Sequence, residues 1–310
     1  MHGVLVIDKA AGPTSHDVVA AVRKLLREKK VGHTGTLDPA ATGVLPLVVG
    51  KATKVARYLT GSDKTYRATV RLGINTDTLD SEGTVLRERP VEATEAQVRE
   101  VITSFVGPIE QLPPMYSAKK IDGKRLYELA RKGVEIEREP KAVTVHGITI
   151  ETVALPDITI EVHCSAGTYL RVLAEDIGEK LGCGGYLFEL RRTAAGPFNI
   201  DEAITLDEVA DNPEGARDRI LPIAQALSGL PRINVPVSIG QMIASGHQLN
   251  VADLRTLDIP DFQKDEPITL GLDSGQVIAV ARSLIASDEL PTCRRDRRAL
   301  KTERVFAANP

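Results

Sequence analysis

The chain has 310 residues, of which 42% are hydrophobic, a composition typical of a globular protein with room for one large domain and a smaller one. No apolar run approaches the ~18 residues of a membrane span, and residues 1–4 lack the basic and apolar regions of a signal peptide, so we expect a cytoplasmic protein with no membrane segment. Three widely spaced cysteines without a C-x-x-C pair argue against a disulfide framework, and a net charge of −3 is unlike that of a strongly basic nucleic-acid-binding protein.

The first predicted elements flank a loop rich in glycine and proline. Residues 3–7 are predicted to form a strand. Thr14, with Asp17 three residues later, resembles a capping box, and apolar residues at helical spacing follow over 18–26. The loop comes next, and it runs into an apolar segment at 44–49 that is predicted to form a buried strand.

The middle of the chain continues to alternate strands and helices. Residues 66–72 alternate apolar and polar side chains, which predicts a strand. Thr94 and Gln97 form a capping box ahead of an apolar helical face over 98–105. Residues 115–141 are basic, with little apolar content beyond one short helical turn. We interpret them as an arm inserted into the domain and packed loosely on it.

A strand, a helix and another strand are predicted next. Residues 158–162 alternate apolar and polar side chains, and Gly167-Thr168 ends this strand. Apolar residues at helical spacing then extend over 170–181, and Gly182 ends the helix. Residues 186–193 have the pattern of one more strand.

The pattern changes after about residue 230. Segments become short, and prolines separate them. Residues 268–272 and 276–281 are predicted strands joined by a turn at Asp273-Ser274-Gly275. We therefore place a domain boundary there, which divides the chain into residues 1–230 and 231–310.

The loop at 32–46 presents a single carboxylate, that of Asp38. Its sequence is Gly-His-Thr-Gly-Thr-Leu-Asp-Pro-Ala-Ala-Thr-Gly-Val-Leu-Pro, in which glycines and prolines restrict the shape of the backbone. An ordinary Asp has a pKa of about 3.9, so this side chain is ionised at neutral pH and can act as a nucleophile without a partner base. We interpret Asp38 as a catalytic group; the alternative is a turn or helix-capping residue.

This loop closely resembles the active-site motif of the pseudouridine synthases, in particular the bacterial tRNA pseudouridine-55 synthase family of the TruB type. Two further segments resemble the same family in the same order, Lys64-Thr65-Tyr66-Arg67-Ala68 and Gly167-Thr168-Tyr169-Leu170-Arg171. The resemblance extends from about residue 3 to residue 192. Residues beyond 230 are less distinctive, but their position is that of the small RNA-binding domain of this family.

The resemblance implies an α+β fold. A pseudouridine synthase catalytic domain with a mixed, mainly antiparallel sheet and a central cleft would occupy residues 1–230, with the basic RNA-binding insertion at about 115–141. A small β-rich PUA-like domain would occupy residues 231–310. Two features depart from the family: Ala10 stands where Pro is usual after Asp8-Lys9, and a negative net charge is unusual for a tRNA-binding protein.

The resemblance also implies catalytic roles. Asp38 is the indispensable group, Arg171 pairs with it and keeps it ionised, and Tyr66 stacks on the flipped target base. His33 fills the space that the extruded nucleotide leaves. The alternatives for the last three are an arginine on a helix surface, a core aromatic residue and an ordinary loop histidine.

Further substrate-binding residues follow from the same resemblance. Asp80 matches a family segment near the active site, although its surroundings are also a good turn sequence. Tyr169 and Leu190 are expected in the wall of the pocket, with a simple core position as the alternative. Four basic side chains of the insertion are expected to contact RNA phosphates, unless they belong to a merely solvated surface: Lys119, Lys120, Lys124 and Arg125.

Two nucleotide-binding motifs are incomplete. In Gly50-Lys51-Ala52-Thr53, Ala52 occupies the Ser/Thr position of a P-loop, and Gly182-Cys183-Gly184-Gly185 lacks the last glycine of a dinucleotide fingerprint because Leu187 stands there. The six histidines are scattered and no H-E-x-x-H motif is present. The sequence therefore predicts no cofactor and no metal.

We expect an enzyme that isomerises uridine 55 in the T arm of tRNA to pseudouridine, as a monomer that needs no guide RNA. The sequence leaves three routes open: Asp38 attacks C1′ of the ribose, attacks C6 of the base, or assists a glycal-type pathway. One alternative function is a tRNA-binding and folding chaperone that no longer catalyses, which the intact Asp38–Tyr66–Arg171 set argues against. Another is a guide-RNA-dependent synthase subunit, which would not need the basic insertion.

Overall fold

The computed structural model describes residues 2–116, 120–121, 124–125, 134 and 136–306. Most of the predicted basic insertion, including its helical turn, lies outside the described residues. Of its four predicted RNA-contacting residues, Lys119 is not described, and for Lys120, Lys124 and Arg125 the backbone alone is described.

Strands dominate the described part of the chain, and those predicted from the sequence are present. The bounds are β1 Gly3–Lys9, β2 Val31–His33, β3 Thr42–Val49, β4 Lys64–Leu72, β5 Ile74–Thr76, β6 Val85–Glu88, β7 Gly107–Gln111, β8 Lys120–Ile121, β9 Lys124–Arg125, β10 Lys141–Ala154, β11 Asp157–Cys164, β12 Gly185–Ala195, β13 Phe198–Asn199, β14 Ile204–Thr205, β15 Arg232–Asn234, β16 Pro267–Gly271, β17 Val277–Ser283 and β18 Leu300–Val305.

Helices connect the strands. Their bounds are α1 Ser15–Leu25, α2 Ala56–Thr60, α3 Glu95–Thr103, α4 Leu170–Lys180, α5 Leu206–Asp211, α6 Pro213–Asp218, α7 Ile223–Ala226, α8 Val237–Ala244 and α9 Val251–Leu254, with 3₁₀ turns at Gly50–Val55, Ile200–Glu202 and Ser287–Glu289. The predicted capping boxes form at the starts of α1 and α3, where the Thr14 and Thr94 hydroxyls accept backbone N–H bonds. No helix within the described ranges is long and apolar enough to cross a membrane.

The main sheet is mixed and mainly antiparallel, as predicted. Its order is β14-β1-β3-β12-β4-β11-β10-β7, with β2 beside β3 and β13 beside β12. The β1–β14 and β3–β12 pairs are parallel, and the other pairs are antiparallel. Helices α1, α3 and α4 pack on one face of this sheet and α2 and α7 pack on the other, so the predicted α+β fold is confirmed.

Two hydrophobic clusters lie side by side on the face of the sheet that α1, α3 and α4 cover. Val98 of α3 and Leu173 of α4 belong to the cluster over β4, β11 and β12, and Val18 of α1 belongs to the cluster over β1 and β3. Tyr66 and Leu190 pack against both clusters. The predicted site residues of β4 and β12 therefore lie where the two halves of this core meet.

The C-terminal residues form a second sheet, with the order β15-β16-β17-β18. It has its own core, which includes Ile233, Leu254 and Ile278. Two residues on its other side, Val280 and Phe306, pack with the face of the main sheet that α1 does not cover. The small β-rich element expected after residue 230 is thus present.

Candidate active site

Asp38 and Arg171 form an ion pair. Asp38 lies in the loop between β2 and β3, and its Oδ2 is 2.6 Å from Nη2 of Arg171, in the first turn of α4. Gly167, at φ +90°, makes the turn that leads into this helix. The Arg171 side chain is 7% exposed and that of Asp38 is 45% exposed, so the cation is covered by protein while the carboxylate remains accessible.

Asp80 holds the other side of the same guanidinium. Its Oδ2 is 3.2 Å from Nη1 of Arg171. Its Oδ1 accepts hydrogen bonds from the Thr78 hydroxyl at 2.5 Å and from the Glu82 backbone N–H at 3.1 Å. Asp80 is therefore fixed by its own turn, and it anchors Arg171 in place. The sequence suggested either a turn residue or a residue near the active site. Asp80 is both, since it lies in a turn and contacts Arg171.

The environment of Asp38 disfavours its charge. Burial is the largest influence and raises the pKa of this carboxyl above its ordinary value; Asp80 raises it further, whereas Arg171 and Lys9 oppose the shift. A carboxylate in such a position is less stabilised by water than an ordinary surface Asp. Its negative charge is available to interact with a reacting group.

Lys9 donates hydrogen bonds to the backbone of the Asp38 loop. It is fully buried, and its Nζ donates hydrogen bonds to the carbonyls of Ala10, Pro39 and Ala41 at 3.0, 2.9 and 2.7 Å. Ser15 adds two bonds to Leu37, one in each direction. Sequence reasoning gave Lys9 no role, because a lysine after a strand is usually a surface residue.

Arg192 is a second buried cation beneath the loop. It is 1% exposed, and it donates to the carbonyls of Val44 at 2.7 Å, Gly35 at 3.1 Å and Thr36 at 3.4 Å. Gly43 permits this arrangement: its φ is +99°, and a Cβ there would lie 2.2 Å from the Arg192 carbonyl. The sequence placed Arg192 only in a basic pair with Arg191.

Tyr66 lies in the predicted strand, opposite Val162 of β11 and Arg192 of β12. Burial raises the pKa of its phenol, and Arg192 partly opposes the shift. The hydroxyl is therefore protonated at neutral pH. The Asp38 carboxylate adds a smaller rise to the pKa of the same phenol. Tyr66 itself is not among the residues that line the cleft beside Asp38.

His33 ends β2 and contacts a second histidine edge to face, with 5.2 Å between its ring centroid and that of His16. Burial lowers the pKa of His33, and the nearby His16 and Arg192 lower it further. The ring is therefore neutral near pH 7. Its Nδ1 is buried without a hydrogen-bond partner among the described residues.

Tyr169 and Leu190 complete the predicted set. Tyr169 directly precedes α4, and its backbone N–H and carbonyl bond the buried Gln111 side chain at 2.9 and 3.2 Å. Leu190 lies in β12 and lines the cleft that contains Asp38. Both are partly buried. Leu190 therefore forms part of the cleft wall, whereas Tyr169 is not among the residues that line this cleft.

The cleft beside Asp38 has a volume of about 370 Å³, which is within the range of small-molecule sites. Asp80 and Leu190 line it, together with two arginines, Arg67 and Arg191. Arg67 pairs with Glu151 and Arg191 with Asp8, each at 2.7 Å. The arrangement offers one accessible carboxylate, an apolar wall and cations at the rim, which suits a planar base attached to a phosphate backbone.

Two family models match the chain. The one described as TruB family pseudouridylate synthase (N terminal domain) matches residues 23–170, and the one described as tRNA pseudouridylate synthase B C-terminal domain matches residues 171–228. Together they account for most of the chain, including Asp38 and Arg171.

Curated relatives match over nearly the whole length. The tRNA pseudouridine synthase B of Syntrophus aciditrophicus is 42% identical over 308 residues, covering 99% of each chain. The protein of that name from Aromatoleum aromaticum is 49% identical over 248 residues, covering 80% of each. That from Burkholderia mallei is 44% identical over 284 residues, covering 91% of this chain and 93% of the relative.

Solved structures show the same fold. A chain of a Cbf5-Nop10-Gar1 complex superposes with a TM-score of 0.81 at 28% identity, covering 98% of this chain and 85% of that one. A chain of an H/ACA RNP bound to a substrate RNA containing 2′-deoxyuridine superposes with a TM-score of 0.79 at 27% identity, with the same coverage.

Proposed function

The chain belongs to the TruB family of pseudouridylate synthases, and we propose that it converts uridine 55 in the T arm of tRNA to pseudouridine. The reaction is an isomerisation: the N1–C1′ bond breaks, the base turns, and a C5–C1′ bond forms, so no atom is gained or lost. The curated relatives are named for pseudouridine synthesis in tRNA, which does not favour a non-catalytic chaperone. The single observation that carries the proposal is Arg171 bridging Asp38 and Asp80 beside an open cleft.

Asp38 is proposed to act on the nucleotide at the bond that breaks. All three open routes, through C1′, through C6 or through a glycal, begin with an ionised carboxylate next to the flipped uridine. Arg171 supports this role because it fixes the rotamer of Asp38 and opposes the rise in its pKa. Asp80 is a positioning residue, since it contacts Arg171 and its own turn.

Tyr66 is proposed to stack on the extruded base, and His33 is proposed to fill the space that the extruded nucleotide leaves in the RNA. A flipped base has lost its neighbours in the stack, and an aromatic ring replaces part of that contact. Tyr66 is a neutral ring near Asp38, as such a role requires. His33 is neutral too, so its proposed part is contact and hydrogen bonding rather than proton transfer.

We further propose that residues 231–310 form a PUA-like RNA-binding domain and that the insertion at about 115–141 holds the T arm. The separate hydrophobic core around Ile233 and Ile278 supports this division of the chain. Cations at the rim of the cleft, such as Arg67 and Arg191, would meet phosphates near the target. Binding through phosphates would weaken as salt rises.

The protein is proposed to act in the cytoplasm as a monomer without a guide RNA. The solved structures with the same fold include complexes with partner proteins and RNA, so this point needs a direct test. An unmodified T-arm stem-loop transcript is incubated with the purified chain and no other RNA, and pseudouridine is mapped by position. A transcript with cytidine at position 55 is the matched control.

Pseudouridine at position 55 alone, and none in the control, is the expected outcome. Modification at another position would overturn the choice of substrate. Modification that requires an added RNA or protein would overturn the stand-alone assignment while leaving the reaction class intact.

A further inference from the structure

Asp63, His146 and His163 converge on one exposed patch away from the Asp38 cleft. His163 lies in β11, opposite Thr65 of β4, and Asp63 directly precedes β4. Side chains alternate along a strand and face the same side across a ladder, so residues 63, 65 and 163 share a face. The spacing in the sequence gave no sign of this, because the three residues are 100 positions apart at the extremes.

A β-bulge brings the second histidine to the same face. In the β10–β11 pair, Val145 is opposite Cys164 but Gly147 is opposite His163, so His146 is an extra residue in β10. Bulges of this kind redirect a side chain. The His146 and His163 ring centroids are 4.8 Å apart.

The distances within the cluster suit a metal ion. Asp63 Oδ2 lies 3.2 Å from Nε2 of His146 and 4.0 Å from Nε2 of His163. One ligand atom from each of the three residues lies within 4.8 Å of the others. Zinc bonds of about 2.0–2.1 Å at tetrahedral angles place ligand atoms about 3.3–3.4 Å apart. The Asp63–His146 distance already fits this spacing, and the longer separations would shorten through rotation of the exposed side chains.

The donor set selects the class of ion. Two imidazoles and one carboxylate suit zinc and neighbouring transition metals, whereas magnesium and calcium prefer oxygen ligands alone. Asp63 and His163 also border an open cleft of about 830 Å³ that extends to Pro267 and Arg282 of the second sheet. An ion can therefore enter from solvent, and its remaining coordination positions are open to water.

We propose that Asp63, His146 and His163 form a surface binding site for one divalent transition-metal ion, with Zn²⁺ as the fitting ion. The ion joins the segment that leads into β4, the strand of Tyr66, to the β10–β11 hairpin. Because it binds the folded chain, it stabilises the fold in proportion to its concentration relative to its dissociation constant. The catalytic proposal for Asp38 does not depend on this site.

The test is isothermal titration calorimetry, in which Zn²⁺ is added to the chelator-treated full-length protein. We expect saturation at one equivalent and a rise in melting temperature with added Zn²⁺. The His146→Ala/His163→Ala variant is expected to bind at least about tenfold more weakly, since changes to residues that only support a ligand already cost about 10–100-fold. Co²⁺ is expected to give an absorption spectrum without a thiolate charge-transfer band.

Two control variants separate this site from others. His247 lies 3.5 Å from Asp253 and is a lone His–carboxylate pair, so His247→Ala is expected to leave the affinity unchanged. Cys293 is a partly exposed thiol, and Cys293→Ser removes the main competing ligand among the described cysteines. Absence of saturable binding, or equal affinity in the double histidine variant, would overturn the proposal. Loss of binding in Cys293→Ser would do so as well.

Discussion

At the scale of single residues, the site is defined by one guanidinium that contacts two carboxylates. Arg171 is almost fully covered, whereas Asp38 is partly open to the cleft. The pKa of Asp38 is raised by burial, so the folded state disfavours its ionised form. Ionisation of Asp38 therefore costs stability above the raised pKa, and this cost disappears as the pH falls through it. The charge that is proposed to react is therefore kept at the expense of some stability.

The pH dependence of turnover follows from this shift. Since the proposed chemistry requires ionised Asp38, the single-turnover rate is expected to fall as the pH is lowered, with a midpoint above the ordinary pKa of an Asp side chain. Rates measured with a T-arm stem-loop between neutral pH and the limit of folding test this expectation. A rate that stays flat down to the ordinary pKa of Asp would contradict it.

Substitution of Arg171 is expected to move the same midpoint. Arg171→Gln removes the main influence that lowers the pKa of Asp38, so the acid limb moves to higher pH and the maximal rate falls. Arg67→Gln is the matched control, because Arg67 lines the cleft but pairs with Glu151. If the acid limb moves equally in both variants, loss of any positive charge in the cleft causes the shift. The specific contact between Arg171 and Asp38 would then not be its cause.

Many of these residues could be predicted from the sequence, and some could not. Asp38 and Arg171 lie 133 positions apart, and resemblance rather than spacing indicated that they meet. Lys9 and Arg192 were missed because a sequence shows a cation without showing the carbonyls around it. Burial of a charged side chain depends on partners from other strands, which only the folded chain brings together.

At the scale of elements, the Asp38 loop is held in place by the buried cations Lys9 and Arg192. Lys9 and Arg192 together bond six carbonyls, five of them between Gly35 and Val44. A loop with three glycines has little stiffness of its own, so these bonds account for its defined shape. The absence of the usual Pro at Ala10 is offset here, because the Ala10 carbonyl is itself bound by Lys9.

Lys9→Met is expected to loosen this loop. The change leaves three carbonyls without their donor, and we expect a loss of about 3 kcal/mol in the free energy of unfolding. The single-turnover rate is expected to fall more than the affinity for the stem-loop. The free energy of unfolding is measured by chemical denaturation, with circular dichroism as the signal.

Lys54→Met is the control for that experiment. Lys54 is exposed and donates one bond, to the Val305 carbonyl, so its loss is expected to cost less than about 1 kcal/mol. Equal costs for the two variants would mean that Lys9 contributes no more than a surface lysine.

The predictions at this scale succeeded where local patterns are strong. The strands at β1, β3, β4, β11 and β12 and the capped helices α1 and α3 lie where periodicity and capping residues placed them. The 14-residue strand β10 was not predicted, because its outward residues and its bulges interrupt the alternation. Its place is set by pairing with β11 and β7, which local sequence does not encode.

At the scale of the whole molecule, the second sheet packs against the main domain through a cluster of apolar side chains, and ion pairs of Glu303 lie beside this cluster. Val280 and Phe306 pack with Ala52 and Val55, and Glu303 binds both Arg57 and Arg282. The position of the boundary near residue 230 stays a prediction.

Phe306→Ala is expected to destabilise this contact. Phe306 is 6% exposed, and removing a buried phenylalanine side chain typically costs about 3–5 kcal/mol. Val237→Ala, at a residue that is 54% exposed in the second sheet's own helix α8, is expected to change stability by less than about 0.5 kcal/mol. Thermal unfolding of the two variants distinguishes the outcomes, and equal melting temperatures would contradict the proposed packing.

The variant Asp38→Asn tests whether Asp38 carries the chemistry. Single-turnover modification of a T-arm stem-loop and its dissociation constant are measured for this variant and for the wild type. We expect a rate at least about 100-fold lower, with a dissociation constant within about threefold of wild type, because the amide keeps the shape of the side chain but cannot supply its charge. A rate near that of the wild type would rule out a chemical role for Asp38.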